Sequence, residues 1–146
     1  MPDVERRDAP GVEVRRSDIA GRGLFATAGL KAGTDVIQLD HAAVADGRVD
    51  RLGVGFPNHS CDPNLGWRDE HTLVTITDVQ AGAELVTDYA MSVTEPGWLL
   101  RCHCPSYRCR QMVEGSDWRI AQLQQRYAGL WAPAVARLLE AETDTR

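Results

Sequence analysis

Lysine is almost missing from this 146-residue chain: Lys31 stands alone against fifteen arginines. We read that imbalance as compositional bias rather than as a functional device. No apolar run approaches the roughly 18 residues of a membrane span, so no transmembrane helix is expected. The start, Met1-Pro2-Asp3-Val4-Glu5-Arg6-Arg7, lacks the apolar stretch of a secretory signal, which predicts a cytoplasmic protein. Positive charge is in deficit too. A net charge of −5 argues against non-specific nucleic-acid binding, which depends on neutralising phosphates, and suits a basic target better. Internal repeats and low-complexity segments are absent. What remains is ordinary: 43% hydrophobic and 25% charged residues match one soluble globular domain.

Cysteine is scarce but not scattered. Cys61 sits in Asn58-His59-Ser60-Cys61-Asp62-Pro63-Asn64, and the other three form Cys102-x-Cys104-x4-Cys109. Four thiolates equal one closed tetrahedral zinc site. A reducing compartment favours metal over disulfides. The competing reading is a set of unpaired core thiols, which sits poorly with polar neighbours such as Arg101, His103, Ser106 and Arg110. His59 and His103 are further candidate ligands, although four sulfurs already close the site. A metal here would pin the C-terminal segment onto the body of the domain.

The rest reads as short strands. Val12 to Arg16 alternates, Leu24-Phe25-Ala26 follows a glycine turn, and Val36 to Leu39 follows another. Residues 40–55 form a polar insert. Leu65-Gly66-Trp67 and Thr72 to Ile76 predict a hairpin turning near Asp69-Glu70, and Glu84 to Thr87 a last strand. Close spacing without alternating helices predicts a mainly β fold of small mixed or antiparallel sheets. The end changes character. Ser116 predicts the cap of a helix from Asp117 to Tyr127, which Gly129 stops. Pro133 opens a second helix with Val135, Leu138 and Leu139 on one face. Residues 1–11 are expected to be a flexible lead-in and 143–146 a disordered tail.

Singly, the polar motifs are weak. Asn58 to Asn64 could be a turn-rich loop. Glu84-Leu85-Val86-Thr87-Asp88-Tyr89 could be a plain strand end, and Gly21-x-Gly23 usually means a turn. In order, Gly21-Arg22-Gly23-Leu24-Phe25-Ala26, then Asn58 to Asn64, then Glu84-Leu85-x-x-Asp88-Tyr89, then the cysteine tail, the chain resembles the SET-domain protein-lysine methyltransferases. The resemblance spans roughly residues 12–110, and the closest look is to short stand-alone bacterial members.

That resemblance implies a β-clip-like fold of several small sheets around a knot-like crossing, with Asn58 to Cys61 threaded beside the segment of Tyr89. It divides the chain into a SET domain at 12–92, a post-SET zinc segment at 93–115 and C-terminal helices at 116–142 outside the common core. It implies S-adenosyl-L-methionine as cosubstrate, zinc on Cys61, Cys102, Cys104 and Cys109, and a protein substrate with a target lysine. No nucleic-acid or membrane partner is expected, and a homodimer stays open. Gly21 and Gly23 would let backbone approach the cofactor, with Arg22 and Leu24 flanking it. Asn58 and His59 would hold its amino-acid and adenine ends. Tyr107 would stack on the adenine, or else be an exposed aromatic. Tyr89 would be catalytic, its hydroxyl orienting amine, methyl and sulfur. Phe56 and Thr87 would line the lysine channel with Tyr89; for Phe56 plain core packing is compatible. Asp88 is read as structural.

Two departures stand out. Thr87 occupies a position where the family usually has Phe or Tyr, which leaves a wider channel end. Gly55-Phe56-Pro57 replaces a common Arg-Phe-apolar triplet, and the insert before it is short. Two rival readings follow: a degenerate module that binds without chemistry, and an enzyme of the same fold acting on a small amine.

Overall fold

The computed structural model describes residues 6–39 and 57–144. Phe56 and the insert at 40–55 lie outside the described residues. Eight short strands form one curled, hydrogen-bonded path: β1 (Arg6–Asp8), β2 (Val12–Arg16), β3 (Arg22–Ala26), β4 (Asp35–Leu39), β5 (Asn58–His59), β6 (Leu65–Trp67), β7 (Thr72–Thr75) and β8 (Glu84–Thr87). Their order is β1-β4-β7-β6-β8-β3-β2, with β5 added beside β8. Most pairs are antiparallel, but β5 and β6 both run parallel to β8. The expected β2, β4 and β8 and the β6–β7 hairpin all form. β3 starts two residues earlier than expected, at Arg22.

Several expectations need correction. Arg6–Asp8, placed in a flexible lead-in, forms β1 and pairs with Ile37 to Leu39. The single helix from Asp117 to Tyr127 is broken. Asp117–Arg119 is a 3-10 turn, Ile120 is extended with ψ of 119°, and α1 covers only Ala121–Arg126. Ser116 makes no side-chain cap bond. The second helix, α2 (Pro133–Asp144), starts where Pro133 predicts and runs into the expected tail. Its face is narrower than expected: Val135 is buried, Leu139 half-buried and Leu138 exposed.

The core is shared. Leu24, Ile37, Leu65, Trp67, Leu73 and Leu85 from the sheet and Met91 just after it form one cluster with Trp118, Leu123, Tyr127, Trp131 and Val135. Backbone bonds stitch the same junction. Trp67 N–H donates to Leu130 C=O at 2.9 Å, and Ala132 N–H to Met91 C=O at 3.0 Å. The C-terminal helices are therefore built into this domain's core rather than appended to it. A separate hairpin, β9 (Leu99–Arg101) with β10 (Met112–Glu114), carries the cysteine loop.

Candidate active site and metal centre

The hairpin gathers the sulfurs. Cys102 leaves β9 with its N–H bonded to Gln111 C=O at 2.8 Å, so the loop 102–111 closes on itself. A Ser106 turn brings Cys109 back, with Cys109 N–H donating to Ser106 C=O. Cys61 comes from the stretch just after β5 and is fully buried. All four Sγ atoms lie within 4.8 Å of one another. Cys61 Sγ and Cys102 Sγ are 4.0 Å apart, twice a disulfide bond length. Zinc with Zn–S of about 2.3 Å would need sulfurs about 3.8 Å apart, so modest contraction suffices. N–H groups already point at two sulfurs: Arg110 N–H donates to Cys61 Sγ at 3.3 Å and Cys104 N–H to Cys102 Sγ at 3.4 Å. Burial pushes the Cys61 thiol up to about 12, a cost that a bound cation reverses. Donor set, spacing and polarity all fit the ion.

His59 is not a fifth ligand. Its Nδ1 accepts from Tyr89 N–H at 3.0 Å, so the proton of the neutral ring sits on Nε2, 3.4 Å from Cys61 Sγ. The imidazole therefore donates toward the sulfur. Burial pushes its pKa down to about 4, although Asp88 pulls the other way, so the ring is neutral near pH 7. Its 3.7 Å approach to Asp88 is accordingly not an ion pair. His103 is exposed.

Tyr89 opens a 3-10 turn, Tyr89–Met91, directly after β8. Parallel pairing sets Asn58 opposite Val86 and His59 opposite Thr87. Asn64 grips the other flank: its amide donates to Glu84 C=O at 3.0 Å and accepts from Val86 N–H at 2.8 Å. The Tyr89 ring meets His59 edge-on at 5.3 Å and Trp98 at 6.1 Å. Its hydroxyl donates to Pro57 C=O at 2.7 Å, which commits the proton and fixes the lone pairs. Thr87 is fully buried, and its Oγ1 has no hydrogen-bond partner among the described residues. Asn58, His59, Thr87, Tyr89 and the four cysteines are thus brought together.

The glycine motif also has a packing role. A Cβ on Gly23 would lie 2.2 Å from Glu84 Oε2 and 3.0 Å from Asn58 Nδ2. The missing side chain makes room for the Glu84 carboxylate. That carboxylate accepts from Ser17 Oγ at 2.8 Å and from Asn58 Nδ2 at 2.9 Å. Asn58 Nδ2 also reaches the carbonyls of Ala20 and Arg22, so Asn58 ties down the turn ahead of β3. Gly21, at φ +44°, has open space around it and keeps room for a ligand. Arg22 is exposed. Leu24 is a fully buried core residue. Tyr107 is 90% exposed and lies under its own neighbour Arg108.

Below Tyr89 lies a buried charge network that sequence reasoning missed. Arg110 makes two bonds to Asp88, at 2.8 and 3.0 Å, and one to Asp117 at 3.0 Å. Tyr127 hydroxyl donates to Asp88 Oδ2 at 2.8 Å, and Ala90 N–H to Asp88 Oδ1 at 2.9 Å. Burial alone would raise the Asp88 pKa, but the Arg110 guanidinium outweighs it and holds the carboxyl below its usual range. Glu84, Asn64 and Asp88 stood inside quoted motifs without assigned ligating roles. Arg110 could have been flagged as the cation beside Cys109. Tyr127 and Trp98 carried no sequence signal.

The fold matches known structure and sequence. Residues 38–90 match the family model described as the SET domain. The chain resembles the crystal structure of KRYPTONITE in complex with mCHG DNA and SAH, with a TM-score of 0.51 and 22% identity over 69% of this chain and 28% of that one. It is 30% identical to the Fusarium mangiferae histone-lysine N-methyltransferase, H3 lysine-9 specific KMT1, over 76% of this chain and 38% of that protein. It is 25% identical to human histone-lysine N-methyltransferase 2B over 75% of this chain and 5% of that protein. The chain thus spans well under half the length of these relatives. Strand order, site and matches together define a SET-type β fold. Residues 38–90 carry the match to the SET domain. No helix among the described residues is long and apolar enough to cross a membrane.

Proposed function

We propose that this protein transfers a methyl group from S-adenosyl-L-methionine to a lysine side chain of a protein, with zinc on Cys61, Cys102, Cys104 and Cys109 holding a post-SET segment in place. The observation that carries the reading is the convergence of Tyr89, His59 and Cys61: one buried imidazole accepts the Tyr89 N–H and faces the metal-site sulfur. When bound, the cosubstrate supplies an electrophilic methyl for in-line displacement. The chain's own residues have to align the groups and keep the amine neutral, since free lysine has a pKa of about 10.4. Tyr89 offers fixed lone pairs, suited to weak C–H···O contacts with a methyl and to orienting an amine. Asn58 anchors the turn around Gly21 where the cofactor's amino-acid end is assigned. Thr87 has less bulk than the aromatic usual at that position, which would leave a channel end able to admit more than one methyl, and its buried hydroxyl has no partner among the described residues. A protein substrate agrees with the printed names of the relatives, and a cytoplasmic setting keeps the thiols reduced.

Calorimetric titration with S-adenosyl-L-methionine, followed by mass-resolved methylation of core histones, tests this. Tyr89→Phe should bind the cosubstrate as the parent does yet transfer methyl at least about tenfold more slowly. A parent that does not bind it points to a degenerate binding module. Transfer to small amines but not to protein favours the small-amine enzyme. Because Lys31 is the only lysine, self-methylation is confined to that side chain and the N-terminal amine.

A further inference from the structure

We infer that the C-terminal helical segment is part of the reaction site, and that Tyr127 is a positioning residue for Tyr89. Tyr127 caps the end of α1, and its ring is fixed edge-on against Trp131 at 5.9 Å. From there its hydroxyl donates to Asp88 Oδ2 at 2.8 Å and reaches Cys61 C=O at 3.4 Å. Asp88 in turn caps the turn that Tyr89 begins, by accepting from Ala90 N–H. The other face of Asp88 is clamped by Arg110, which is itself held by Asp117 at the start of the helical segment. A residue 38 positions downstream therefore fixes the carboxylate that sets the backbone of Tyr89.

Chemistry and geometry both require the hydroxyl. Asp88 is fully buried, and so is Tyr127 to within 1%. A buried carboxylate needs its lone pairs filled, and here four donors fill them: two from Arg110, one from Tyr127 and one from Ala90. Without the phenol, Oδ2 keeps only one Arg110 contact. The carboxylate can then swing toward the guanidinium and release Ala90 N–H. Tyr89 would rotate with the turn, and its bond to Pro57 C=O would lengthen. Misplacement of reacting groups by about 1 Å can cost ~100-fold in rate, so a partial loosening should cost less.

The inference builds on the methyl-transfer reading, so the test carries one readout that does not need catalysis. Tyr127→Phe keeps the ring and its packing on Trp131. Val135→Ala loosens the same segment without touching Asp88. Amide hydrogen exchange is followed at residues 88–92 in both proteins, with steady-state methylation of core histones in parallel. Tyr127→Phe should exchange about tenfold faster at Ala90 with other sheet amides unchanged, while Val135→Ala shows no such local effect. Its kcat should fall about tenfold, with the KM for S-adenosyl-L-methionine within about twofold of the parent. Unchanged exchange at Ala90 in Tyr127→Phe overturns the positioning role, as does an equal local effect in Val135→Ala. A parent that exchanges normally but transfers no methyl overturns the proposed function alone, and the exchange result then decides this inference.

Discussion

Two segments follow the turn that carries Tyr89, and different forces hold them. In the cysteine hairpin, residues 93–115, Val113 is the one buried aliphatic side chain among the described residues, beside the cysteines. Leu99 and Met112 are exposed. Trp98 and Leu100 are only partly buried against Val113 and the cysteines, so the hairpin buries much less apolar surface than the helical segment does. On the proposed reading, the ion supplies the constraint that apolar burial does not. In the helical segment, residues 116–144, Trp118, Leu123, Tyr127, Trp131 and Val135 are all buried in the main core. That segment needs no ion. If the proposed zinc is bound, the two segments are held beside Tyr89 by different forces, one by a metal and one by apolar burial, and Arg110 couples them through Asp88 and Asp117.

Metal removal should break the comparison most visibly. A strong chelator should make four thiols reactive and raise amide exchange through residues 98–115, because binding free energy is local folding free energy at such sites. Residues 117–139 should stay protected. Thiol titration and site-resolved exchange on the same sample measure this. Two disulfides in place of four thiols would end the zinc assignment, and simultaneous loss of both segments would show that they are one unit.

The converse change is Trp118→Ala. Removing a buried aromatic costs about 3–5 kcal/mol. Trp118 lies in the main cluster, so the denaturant midpoint of the whole domain should fall. In metal-loaded protein short of unfolding, the four thiols should remain unreactive. If they react as readily as in chelated protein, the helical segment also holds the hairpin.

Legibility followed the range of the interactions. β8 was plain in Glu84 to Thr87, and the β6–β7 hairpin in two apolar runs around a polar turn, because both depend on neighbours in sequence. β5 was not, since Asn58-His59 has no strand pattern and exists only through parallel pairing with Val86 and Thr87. The helix break at Ile120 was hidden for a related reason. Ser116-Asp117 looks like a capped start, but the Asp117 carboxylate is taken by Arg110 seven residues earlier in the chain. The cysteines announced their own cluster because one ligand type leaves little choice. Gly23 was noticed as a glycine, but nothing in the sequence says that Glu84, 61 residues later, fills the space above it. Tyr107 was assigned by its place among the cysteines, and the exposed side of that loop is where it lies.

The smallest effect sharpens the comparison from inside the hairpin. Gln111 has φ of +66°, and among the described residues it is the one non-glycine at positive φ. The two bonds that close the loop bracket it: Cys102 N–H to Gln111 C=O at 2.8 Å, and Met112 N–H to Arg110 C=O at 2.7 Å. Left-handed backbone costs an L-residue roughly 1–2 kcal/mol, and glycine escapes that cost but loses about 0.5–1 kcal/mol of extra chain entropy on folding. Gln111→Gly should therefore be stabilising by no more than about 1.5 kcal/mol. Gln111→Ile, β-branched and intolerant of this region, should be destabilising by a larger amount. If the ion is what holds the loop closed, both effects belong to the metal-loaded state alone. Melting curves of the three proteins should then separate with metal and coincide under chelation. A Gln111→Ile protein that melts with the parent when loaded would mean that the loop relaxes freely, and that the ion imposes no such backbone on residue 111.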